Sequence, residues 1–190
     1  MRLSFIALLF WSFYSFGQSD TTIYIKEFGW TLKAPSTFKF MDSATISEGA
    51  KNGTKEIEKV TDNNVDNSGD KVLFSATTDG AFFAAISAPI TSEDFDLNDS
   101  LVKNAALKSF ADITQDSMPS TSSYLLEIIS GITFKKMSAI FKLAGTGQTL
   151  DLNILSAYYK KQYFQLLYYS MDKQKSKVIE NMLATSKFEK

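Results

Sequence analysis

Residues Asp62 to Asp70 read DNNVDNSGD, and oxygen-bearing side chains recur at every second position: Asp62, Asn64, Asp66, Ser68 and Asp70. A tight loop brings alternate side chains toward one point, which is how hard cations such as calcium collect oxygen ligands. Two positions depart from that pattern. The sixth is Asn67 where a glycine makes the sharp turn, and the twelfth is Leu73 where a bidentate glutamate closes the shell. The stretch is therefore read as a solvated polar loop leading into a strand at Lys71. Asp62, Asn64, Asp66 and Asp70 remain as an incomplete calcium candidate, and no other metal or cofactor is expected.

Other chemistry is limited by which residue types are present. The 190 residues contain no His and no Cys, so imidazole or thiolate metal sites, Ser-His-Asp and Cys-His nucleophiles and disulfides are all excluded. Arg2 is the single arginine, which leaves no guanidinium fork for phosphate or carboxylate. Ser-x-x-Lys occurs at Ser36/Lys39, Ser68/Lys71, Ser100/Lys103 and Ser170/Lys173, in a chain with 23 Ser and 19 Lys. Chance alone gives roughly two such pairs, and the companion S-D-N and K-T-G motifs are missing. Gly145-Thr146-Gly147 lacks the Lys-Ser/Thr ending of a phosphate loop and reads as a hairpin turn. The acidic run Glu93 to Asp99 suits the start of a helix. Glu127, between Leu126 and Ile128, falls opposite Phe134 and diagonal to Lys136 across a two-residue turn, which predicts a cross-strand ion pair. No catalytic residue is assigned and the chain is read as not an enzyme.

The first seventeen residues read as a cleaved export signal. Arg2 is followed by the apolar run Phe5 to Phe16, and Ser15 and Gly17 are small residues ahead of a cut before Gln18. Twelve apolar residues fall short of the ~20 that span a bilayer, so no stable membrane anchor is expected. The chain beyond it, 18–190, is expected to be one domain, periplasmic or extracellular. It carries 19 Lys against 21 acidic residues, with no basic stripe that would suit nucleic acid.

The elements that must position any site follow from periodicity. Ile23 to Ala34 alternates, with Phe28, Trp30 and Leu32 on one face, and reads as a strand ending at Pro35. Ser43 to Val60 reads as a weak helix. Asp79-Gly80 between the apolar runs Lys71–Thr77 and Ala81–Ala88 predicts a hairpin. Val102, Ala106, Phe110 and Ile113 lie on one face of a helix capped by Asp99 or Ser100 and ended before Pro119. Four strands follow with short turns: Ser122–Ile129, Ile132–Leu143, Thr149–Tyr159 and Gln162–Met171. A last helix, Asp172 to Ser186, carries Val178, Ile179, Met182 and Leu183.

Register can be read across the last turn. A two- or four-residue loop at Lys160-Lys161 pairs Tyr158 with Tyr163, Ile154 with Leu167 and Leu152 with Tyr169. The face of Leu150, Leu152, Ile154, Leu167 and Tyr169 is then the expected core, with the Val178/Met182 helix a candidate cover. The opposite face of Leu155, Phe164, Leu166 and Tyr168 also carries Asp151, Asn153, Gln162 and Ser170, and is either half-covered by the Leu101–Ile113 helix or is the binding surface. Phe164 and Leu166 are expected to be buried there, and a partner surface is expected at its polar-rimmed end, at Tyr159 and Tyr168.

The segments FGWTLKAPSTFKF (28–40), IISGITFKK (128–136) and YYKKQYFQLLYYSMDKQKSKVIENMLATSKF (158–188) resemble the PsbP-like family. The resemblance lies in element order and in an aromatic last strand running into a helix. It implies an α+β fold: an antiparallel β-sheet of about six to seven strands flanked by helices, an α/β/α sandwich shared with a Ran-binding nuclear import factor. It also implies a binding scaffold. The expected function is a secreted, non-enzymatic binding or protein-interaction domain for an unknown protein. A periplasmic carrier of a small apolar ligand is the alternative, and a carboxylate-pair hydrolase the more remote one.

Overall fold

Twelve elements form within the residues that the computed structural model describes, which are 20–41, 69–115 and 119–189. They are β1 (Thr21–Ile25), β2 (Trp30–Ala34), β3 (Lys39–Phe40), β4 (Lys71–Thr78), β5 (Ala81–Pro89), α1 (Phe95–Thr114), β6 (Thr121–Ile129), β7 (Ile132–Lys142), β8 (Thr149–Tyr159), β9 (Gln162–Ser170), α2 (Lys173–Thr185) and β10 (Lys187–Phe188). Seven strands make one sheet in the order β3-β4-β5-β9-β8-β7-β6, and β1-β2-β10 make a smaller one. Every pairing is antiparallel. The fold is α+β, with a helix on each face of the large sheet.

Turn chemistry sets the register. Ser130 and Gly131 have φ 50° and 86°, and Lys160 and Lys161 have φ 52° and 62°. Positive φ at both central residues is the type I′ geometry that matches strand twist. Asp79-Gly80 links Thr78 to Ala81 in the same two-residue manner. The pairs Tyr158–Tyr163, Ile154–Leu167 and Leu152–Tyr169 follow as the sequence predicts.

Both faces of the large sheet are packed. On one, Phe83, Phe134, Leu155, Phe164, Leu166 and Tyr168 are fully buried against Phe28, Trp30 and Leu32 of the small sheet and Ile179, Met182 and Leu183 of α2. Phe28 stacks on Phe164 at 4.5 Å, and Phe188 stacks on Trp30 at 5.5 Å, nearly parallel. Asp172 caps α2, its Oδ1 accepting from the Gln174 N–H at 2.8 Å. On the other face Met137, Ala139, Phe141, Leu150, Leu152 and Ile154 pack against Ala106, Leu107 and Phe110 of α1.

Several expectations are corrected. The candidate cover is on the other face: α2 packs on the Leu166 face, which is neither half-covered by α1 nor a binding surface, and α1 packs on the Ile154 face. Parity tells which residues share a face, but when both faces are apolar it does not tell which helix lies on which. Leu166 and Phe164 are buried under a helix, as expected, but that helix is α2. Ile23–Ala34 is two strands, because Gly29 at φ 58° closes a turn within it. Helix α1 begins one turn early, at Phe95, and Asp99 lies inside it as a buried residue. Ile113 and Val178, assigned to helix core faces, are 70% and 36% exposed.

Candidate functional site

Among the described residues, strand β6 is the last strand of the large sheet, paired only with β7. Its even-numbered residues face the α1 side and its odd-numbered residues the α2 side, as the pairing of Tyr124 with Met137 and of Glu127 with Phe134 requires. Helix α1 packs over β7 and β8 and stops short of this edge. Tyr124, Leu126 and Ile128 are therefore left 61%, 68% and 72% exposed on one face, and Leu125 48% exposed on the other. Between Tyr124, Leu125 and Leu126 and the α1 residues Asp96, Ser100 and Asn104 lies an open cleft of about 440 Å3.

The charges beside the cleft neutralise one another. Lys135 Nζ sits 2.7 Å from Asp96 Oδ1 and 5.4 Å over the Phe95 ring. Lys136 Nζ sits 3.0 Å from Glu127 Oε2, the cross-strand pair that the register predicts. It also lies 3.8 Å from Glu180 of α2. Two carboxylates thus flank a single ammonium, which occupies the space a substrate would need between a carboxylate acid–base pair. A second open cleft of about 240 Å3 adjoins them, lined by Ser122, Ser138, Asp151 and Asn153 among others. Ser138 donates to Asn153 Oδ1 at 2.6 Å, and Asn153 Nδ2 to Asp151 at 3.0 Å.

Beneath the first cleft lies a buried polar cluster. Lys103 Nζ donates to Asp99 Oδ2 at 2.9 Å and to the Lys135 carbonyl at 2.8 Å. Asp99 Oδ1 accepts from the Ser156 hydroxyl and, at 3.3 Å, from the Tyr163 hydroxyl. Burial holds Lys103 below the usual lysine range, with the Asp99 charge opposing that shift. Burial, then the Asp99 charge, raises the Tyr163 phenol. Serine, lysine, aspartate and tyrosine together form a vocabulary for nucleophilic chemistry. Ser156 is fully buried, however, and Asp99 and Lys103 are 5% and 3% exposed, so the hydroxyl meets no substrate. The cluster ties α1 to β7, β8 and β9. Its signal in the sequence is the i,i+4 spacing of Asp99 and Lys103, hidden because charges on an apolar helix face read as solvated.

Of the other residues singled out from the sequence, Asp62, Asn64 and Asp66 lie outside the described residues, and Asp70 is exposed just ahead of β4. Among the described residues no group of three or more acidic side chains is arranged to hold a metal ion. Tyr159 and Tyr168 share one face of the sheet but do not meet. Tyr159 is half-buried against Phe28 and Phe188. Tyr168 is fully buried, its hydroxyl 3.5 Å from Glu180, so it is core rather than surface. Of the Ser-x-x-Lys pairs, Ser100 is exposed where Lys103 is buried, and Lys71 is paired to Glu27 at 2.7 Å. Gly145-Thr146-Gly147 is a turn between β7 and β8. The export signal, residues 1–17, and the helix expected at 43–60 lie outside the described residues. No helix among the described residues is long and apolar enough to cross a membrane.

The architecture is that of a PsbP-like α+β protein. Cyanobacterial PsbP (CyanoP) from Synechocystis sp. PCC 6803 is similar over 100% of this chain and 98% of its own, with a TM-score of 0.53 at 10% identity. A Bacteroides thetaiotaomicron structure aligns with 91% of the chain at a TM-score of 0.48 and 11% identity, and the chain spans 49% of its length. LpqN of Mycobacterium tuberculosis, described as involved in cell envelope biogenesis, aligns with 90% of the chain and 91% of its own, at a TM-score of 0.41 and 9% identity. No protein-family model matches the chain, and no curated protein matches it. At such identities the likeness is one of fold. The link to a Ran-binding import factor rests on the sequence resemblance alone.

Proposed function

We propose that the protein is an exported, non-enzymatic binding domain that makes protein contacts through the β6 edge. One observation carries this reading: Tyr124, Leu125, Leu126 and Ile128 are exposed together on one strand whose outer backbone groups have no strand beside them among the described residues. Isolated exposed apolar residues are ordinary, but a contiguous row at a sheet edge is the pattern of an interaction surface. The cleft beside it favours a protein over a small apolar ligand. It is open, and Asp96, Ser100, Asn104, Lys135 and Lys136 make up much of its lining, whereas pockets for apolar molecules are mostly apolar. Export is supported by the signal-like segment ending at Gly17, and the mature chain begins at Gln18.

Native mass spectrometry of the protein recovered from the cells that make it tests the reading. The expected result is an N-terminus at Gln18 and a retained partner chain that the Leu126→Lys variant loses. A bare monomer in both wild type and variant overturns the edge as a contact site. An intact Met1 on a folded soluble product overturns export.

A further inference from the structure

We infer that the partner at the β6 edge is a second copy of this chain, paired antiparallel along β6 to continue the sheet across a two-fold axis; this rests on the reading of the edge as a contact surface. Sheet edges are ordinarily protected by shortness, lysine, proline or a bulge. The β3 edge has such protection, being two residues long and one of them Lys39. The β6 edge has little: nine residues, TSSYLLEII, with no lysine, no proline and an unbroken register against β7, and its one charge, Glu127, is paired to Lys136.

Backbone geometry says which groups are free. Ile129 and Ile132 flank the two-residue type I′ turn and form its hydrogen-bonded pair. Bonding to β7 then falls on the odd-numbered residues, and Ser122, Tyr124, Leu126 and Ile128 turn their N–H and C=O groups outward. A new strand must match this row with few charges, because the neighbouring charges are already paired, Lys135 with Asp96 and Lys136 with Glu127.

Strand β6 meets that requirement itself. Antiparallel to its own copy about Leu125, it places Tyr124 opposite Leu126, Ile128 opposite Ser122 and Glu127 opposite Ser123. No like charges face each other, and Glu127 keeps Lys136 as its partner. Tyr124, Leu126 and Ile128 of the two copies then form one continuous apolar row on the α1 face, each side chain flanked by its cross-strand neighbour, which covers part of the exposed patch. The contact is isologous, so it closes at two copies.

Sedimentation equilibrium of the purified protein over a range of concentrations tests this, with Leu126→Lys and Tyr124→Pro as variants and circular dichroism as the check on folding. Leu126→Lys puts a charge into the row, whereas Tyr124→Pro removes an outward N–H without touching the β7 ladder. The expected result is a monomer–dimer equilibrium for the wild type, with each folded variant raising the dissociation constant at least about tenfold. A wild-type monomer at every concentration overturns the second copy; the contact-surface reading then stands or falls with the retained partner in native mass spectrometry. A dimer unaffected by both variants overturns the β6 location. A dimer weakened by Leu126→Lys but not by Tyr124→Pro overturns strand pairing.

Discussion

On one face of the large sheet Phe28, Trp30, Phe134 and Phe164 pack ring against ring, and on the other Asp99 and Lys103 are buried as an ion pair beneath α1. The first face draws its stability from apolar area removed from water, which accrues residue by residue. The second depends on a polar cluster in which each partner is satisfied by the others, so losing one member strands the rest. The two helices are thus held to the same sheet by different physics, one additive and one close to all-or-none.

The sharpest way to break the aromatic face is Leu166→Asp, which buries an unpaired charge under α2 and is expected to cost about 4 kcal/mol or more. Thermal melting and circular dichroism check it; near-wild-type stability would place that face in water. The ionic face should respond next. Asp99→Asn leaves Lys103 buried without its counter-charge and is expected to cost about 3–5 kcal/mol, whereas the double change Asp99→Leu with Lys103→Met recovers much of the loss. Urea denaturation of the three proteins separates the cases, and a double variant weaker than the single would show that the ion pair itself stabilises.

Alkaline titration compares the two faces in one experiment, with a smaller effect. Tyr163 on the α1 face and Tyr168 on the α2 face are both held above the usual phenol range, mainly by burial, then by Asp99 and Glu180 respectively. Above about pH 10 the unfolded chain releases these protons while the folded chain keeps them, so stability falls as pH rises. Lys103, held low by burial, works in the opposite direction up to about pH 10.4, where the unfolded state binds the extra proton. The expected profile is a shallow rise and then a loss. Phenolate absorbance should show Tyr163 and Tyr168 ionising only as the protein unfolds; ionisation of every tyrosine near pH 10 in a folded protein would refute it. The smallest effect is expected at the bare edge. Leu126→Lys, measured where both proteins are monomeric, should change stability by no more than about 0.5 kcal/mol, and a larger loss would mean that the strand is packed.

Much of this was legible in the residues. The β8–β9 register, the Glu127–Lys136 pair and the hairpin at Asp79-Gly80 follow from period-two alternation and turn chemistry, which are local. What escaped was non-local. Asp99 and Lys103 looked like a cap and a solvated charge, because burial of an ion pair depends on Ser156 and Tyr163, more than fifty residues on. Tyr168 looked like a rim residue, because only the packing of α2 decides that its ring is covered. The candidate contact strand also escaped. The exposure of Leu126 and Ile128 depends on where α1 stops, which no pattern within β6 records.

Strand β10 pairs with β2, Lys187 opposite Thr31 and Phe188 opposite Trp30, and so joins one end of the described chain to the other. The β6–β9 meander can assemble from contacts between neighbours in sequence, but this junction closes almost the whole chain as one loop, and contacts of such separation form slowly. The β10–β2 pairing is therefore expected to close later than the β1–β2 hairpin and the meander, whose contacts are local. Phe188 of that junction lies nearly parallel on the Trp30 indole, so the most sequence-distant pairing of the described residues also closes one side of a ring that Phe74 and Phe164 flank elsewhere.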